Sequence, residues 1–150
     1  MSHQFTGFSA LPQGADPSTG DLYGFHKHVD ETRRFMATII GRLGPRIAGA
    51  RPHAGRDERG GRDYFFDNVE FHIRGRRDPC FLGFYHYRRP EERAGSFWEV
   101  WEWEHDDEPL FRRSVAELVD ELRQAESEGR LSTWLDEHAE SIRSELGLDG

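Results

Sequence analysis

The side chains best placed to do chemistry are carboxylates and a histidine at alternating positions. Glu70 and His72 lie in one stretch and Glu102 and Glu104 in another, with Phe81, Tyr85, Tyr87 and Trp98 between them. Residues two apart on a β-strand share a face, so extended backbone would gather these eight on one surface. A carboxylate pair is the minimum kit for acid–base hydrolysis, and His with Glu is a donor set for a divalent ion. The same groups also suit recognition, with acids pairing a basic side chain while rings stack on its guanidinium.

Other chemical signatures are absent. The chain has no Gly-rich phosphate loop and no H-E-x-x-H, G-x-S-x-G or C-x-x-C, the spacings that carry phosphate, zinc, serine or redox chemistry. His26-Lys27-His28 falls in a helical stretch, where residues two apart point about 200° from each other and cannot share an ion. The single Cys80 excludes an internal disulfide and a cysteine cage, and beside Pro79 it reads as a buried structural thiol. No catalytic residue, metal ligand or cofactor is therefore assigned. Glu70, His72, Phe81, Tyr85, Tyr87, Trp98, Glu102 and Glu104 are read as a binding face.

Elements must hold these residues in place. Residues 1–20 are rich in Gly, Pro and Ser and read as an irregular arm, with one α+β domain over 21–150. Leu22, Phe25, Val29, Met36, Ile39, Ile40 and Leu43 follow a helical repeat, ended by Gly44-Pro45. Residues 51–63 lack periodicity and read as a mobile surface loop. Three strands follow: Tyr64 to Arg74, Cys80 to Arg88, and Phe97 to about His105. Pro109 reads as the start of a helix carrying Phe111, Val115, Leu118, Leu122 and Ala125. A last helix is expected from Ser132 or Thr133, with Asp136 in capping-box position. The fold expected is an N-terminal helix, a three-stranded antiparallel meander and two C-terminal helices.

Segregating polarity between faces sets the strand register. Val69 is paired with Phe84, Phe71 with Leu82, Ile73 with Cys80, Phe84 with Trp101, and Leu82 with Trp103. Gly83 then lies between Glu70 and Glu102, whose backbones stand about 9–10 Å apart. The expectation is a shallow slot with an acid on each wall.

The 150 residues suit one domain, and the formal net charge is −8. Charge is uneven: −3 over 1–32, +6 over 33–93 and −11 over 94–150. Nineteen of the twenty basic residues are Arg; Lys27 is the only lysine. The acidic total argues against a polyanion partner, although Arg51, Arg56, Arg59, Arg62, Arg76 and Arg77 form a basic stretch that could touch nucleic acid. The first residues lack the pattern of a secretory signal, and no apolar run approaches the ~20 residues of a membrane helix. Together these point to a soluble, cytoplasmic, non-enzymatic interaction module. It would bind a basic protein partner, as inhibitor or immunity proteins do, or self-associate. The alternatives are a small hydrolase using His72, Glu70, Glu102 and Glu104, and an Arg-based nucleic-acid binder.

Overall fold

A computed structural model describes residues 23–103 and 108–148. The expected irregular arm (1–20) and Glu104 lie outside these residues. Helix α1 spans Tyr23–Arg42 and carries Lys27. Strands β1 (Ile47–Arg59), β2 (Arg62–Ile73), β3 (Cys80–Tyr87), β4 (Phe97–Glu102) and β5 (Phe111–Ser114) follow, then α2 (Val115–Ser127) and α3 (Leu131–Glu145). The sheet runs β1-β2-β3-β4-β5, and every neighbouring pair is antiparallel. The three-stranded meander expected from sequence is thus corrected to five strands; the flanking helices, one before and two after, match.

Both extra strands have clear causes. The segment read as a loop is the outer half of a long hairpin. Gly60 and Gly61 adopt φ of +59° and +78°, the paired positive values that let a two-residue turn match strand twist. Arg59 pairs with Arg62 across it. At the other edge, Phe111 pairs with Val100 and Ser114 with Phe97, so Phe111 ends in a strand and not in a helical stripe. The helix begins four residues later. Ser114 is its N-cap, its hydroxyl accepting a 3.2 Å bond from the Glu117 amide, which satisfies a donor the helix leaves open. Likewise α3 starts at Leu131 without a side-chain cap; Asp136 pairs instead with Arg42 of α1 at 2.9 Å.

All three helices pack on one face of the sheet. Phe35, Met36 and Ile39 of α1, Leu118 and Val119 of α2, and Ala139 and Ile142 of α3 join Val69, Phe71, Leu82, Phe84, Trp98 and Val100 in one buried cluster. Trp98 is its centre: it stacks on Phe84 at 5.4 Å and meets Phe35 and Phe111 edge-on at 5.6 and 5.1 Å. Cys80 is buried in the same layer. Arg76, in the β2–β3 turn, donates to the Leu146 carbonyl and pairs with Glu102, tying that turn to the end of α3.

Candidate functional site

The opposite face of the sheet carries no helix among the described residues, and its side chains contact mainly each other. Parity within β2 and β3 is as expected, with Val69, Phe71, Ile73, Cys80, Leu82 and Phe84 all buried. The register differs. Val69 pairs with Leu82 and Phe71 with Cys80, a shift of two residues that leaves the faces unchanged. Phe84 pairs with Trp98 and Leu82 with Val100, a shift of three that inverts β4.

That inversion redraws the site. Trp98 is 1% exposed and belongs to the core. Glu102 pairs with Cys80 on the helix side and reaches Arg76 at 3.6 Å. Glu70 lies on the outer face, so the two acids expected to wall one slot stand on opposite sides. The space above Gly83 is filled by the chain itself. A Cβ there would lie 2.9 Å from the Trp101 ring and 3.2 Å from Cβ of Asn68. The missing side chain makes room for that tryptophan.

On the outer face the sequence-expected Glu70, His72, Phe81, Tyr85 and Tyr87 come together with residues that sequence reasoning missed. Phe81 stacks on Trp101 at 5.0 Å and 10°, and Tyr85 on Phe97 at 4.8 Å and 22°. Tyr64 joins Tyr85 at one end, and Trp103, 56% exposed, joins Phe81 at the other. Stacked and edge-on rings at these distances attract beyond their area alone. The result is a continuous aromatic floor. Burial, then the negative charge of Glu99, pushes the Tyr85 phenol well above its ordinary pKa, so it stays a neutral hydrogen-bonding group.

The ion pairs on this face share one orientation. Glu70 accepts from His53 and His72, each at 3.2 Å, and from Arg51 at 3.4 Å. Burial alone would raise its pKa, but these donors outweigh it and hold the carboxyl below the ordinary value. Glu99 accepts from Arg112 at 2.9 and 3.0 Å, and that guanidinium lies 4.3 Å over the Phe97 ring. In both pairs the acid is tucked in and the base faces outward: Glu70 is 17% exposed against 70% for Arg51, and Glu99 12% against 54% for Arg112. Arg62 covers Glu92 in the same way.

A cleft of about 270 Å³ opens between the tip of the β1–β2 hairpin and β4–β5. Arg59, Arg112 and Glu99 supply its polar wall, Tyr85, Phe97 and Trp101 its floor, and Pro109 its rim. No cluster of three or more His, Cys, Asp or Glu among the described residues could hold a metal ion. His53 and His72 approach Glu70 from opposite ends, since His53 pairs with Asn68 while His72 pairs with Gly49. Each reaches a different oxygen of the carboxylate, His53 Oε1 and His72 Oε2. Two signals in the sequence could have revealed the missed cations. Gly60-Gly61 is a hairpin turn, and extending it places Arg51 opposite Glu70 and His53 diagonal to it.

No family model matches the chain, and the searches of curated proteins and of solved structures found no match.

Proposed function

We propose that this chain is a binding module that docks a protein partner on the open face of its sheet. The observation that carries this reading is the aromatic floor from Tyr64 to Trp103, built on the side of the sheet away from the helices. Aromatic residues and Arg are the types that anchor interfaces, and here they are already ordered by stacking, which lowers the entropy lost on docking. Hydrolysis has less support. Glu102 is separated by the sheet from Glu70 and His72, so that cluster is not assembled.

The test is affinity capture from extract of the native host, comparing the wild-type chain with Trp103→Ala and with a control on the helix side, Glu137→Ala. Capture that survives in the control and falls at least about tenfold in the Trp103 variant supports the reading, since anchor residues carry losses of this size. Equal capture by all three chains would overturn it. Sedimentation of the purified protein over a range of concentrations distinguishes a second copy from a foreign partner.

A further inference from the structure

We infer that the cleft beside Arg59 is the anchor point of this face, and that it receives a side-chain carboxylate from an acidic, aromatic-containing segment of a protein partner. The inference rests on the docking reading above and adds the chemistry of the occupant.

Arg59 is the distinguishing group. Among the described residues its side chain makes no hydrogen bond and no ion pair, although Arg51, Arg56, Arg62 and Arg112 around it each have an acidic partner. It lines the cleft and lies close enough to lower the cost of a negative charge on Tyr64 and Tyr85. Across the cleft, both nitrogens of Arg112 that bond Glu99 reach the same oxygen, Oε2. The second face of the Arg112 guanidinium rests on Phe97. Among the described residues that line the cleft, two guanidiniums face one carboxylate, an excess of one positive charge. A carboxylate is a complement that a guanidinium fork binds bidentately. The stacked rings below supply the surface for an aromatic neighbour of that acid.

This reverses the partner charge expected from composition, and the reason is local. Of the described acids that suggested a basic partner, Glu70 is covered by Arg51 and Glu102 lies on the other face. Of the −11 carried by residues 94–150, α2 and α3 hold −6, beyond the thickness of the sheet. At physiological ionic strength the screening length is about 8 Å, which limits what those helices contribute at the cleft. A phosphate backbone fits less well. Asp57 and Glu58 are exposed on the same hairpin tip as Arg59, and a charge at every unit of the strand would run against them, whereas a polypeptide can space its acids with tyrosines.

The test is a nuclear magnetic resonance titration of the full chain with three polymers: a random Glu–Tyr copolymer, polylysine and oligothymidylate. The copolymer should shift the side-chain Nε–H signals of Arg59 and Arg112 and the Trp101 indole. Its affinity should fall about tenfold in Arg59→Ala, further in Arg59→Glu, and steeply as salt is raised. Arg59 lies on an exposed tip, so unchanged amide spectra of the free variants will show that the fold is intact. Equal copolymer affinity in wild type and Arg59→Glu would overturn the inference, as would tighter binding of polylysine or oligothymidylate, or no binding by the copolymer. Binding lost in Trp103→Ala but unchanged in Arg59→Glu would remove the cleft while leaving the docking face in place.

Discussion

Asp67 shows how far one side chain can govern stability. It is wholly buried on the helix side of β2 and accepts two 2.9 Å bonds from Arg33. Burial raises its pKa from 3.8 to about 6, although Arg33 opposes the shift. Between those values the native state binds a proton that the unfolded chain has released, so this group's contribution to stability declines as pH rises from about 4 to about 6. Asp67→Asn removes that titration. The difference in unfolding free energy between the variant and the wild type should move by about 3 kcal/mol across the window, in the variant's favour at the higher pH. Urea unfolding at a series of pH values checks it, and parallel profiles would show that Asp67 does not titrate there. His138 acts with the opposite sign. Burial, only partly countered by Glu121, lowers its pKa, so its contribution is lost as pH falls below its ordinary 6.5.

Among the elements, the β1–β2 hairpin depends most on two residues. Gly61 at φ +78° occupies a conformation that costs an L-residue about 1–2 kcal/mol. Gly60 stands where a hairpin of this kind readily accepts Asn. Gly61→Ala should therefore loosen the tip and speed amide exchange in Arg56–Arg62, while Gly60→Asn leaves it nearly unchanged. Hydrogen exchange would decide, and similar exchange in the two variants would mean that turn geometry does not hold the tip. How legible each strand was follows from its own residues. In β2 and β3 the apolar alternation of Val69-Phe71-Ile73 and Cys80-Leu82-Phe84 defines the faces. In β4, Phe97-Trp98-Glu99-Val100-Trp101-Glu102 places rings and one Glu on each parity, so polarity cannot choose, and the site inherited that error through Glu102 and Trp98. Beyond Ile47, the inner face of β1 is built from Ala50, Pro52 and Ala54, residues too small to register as a hydrophobic period. The helix start at Ser114 was legible in the spacing Ser114-x-x-Glu117, but the apolar stripe extended backward over it.

For the whole molecule, the governing fact is that one sheet carries all three helices on one face and, among the described residues, none on the other. The tryptophans make the contrast measurable. Trp98 lies at the centre of the core, and its replacement by Ala should cost about 3–5 kcal/mol. Trp103 projects from the other side, and the same change there should fall within about 0.5 kcal/mol. Thermal or urea unfolding of both variants tests the assignment of faces; comparable losses would mean that the two sides are not distinct.

The near-absence of lysine has a practical outcome once the strands are placed. Lys27 sits in α1, and none of the five strands contains a lysine. Reagents that acylate side-chain amines therefore leave the strands untouched.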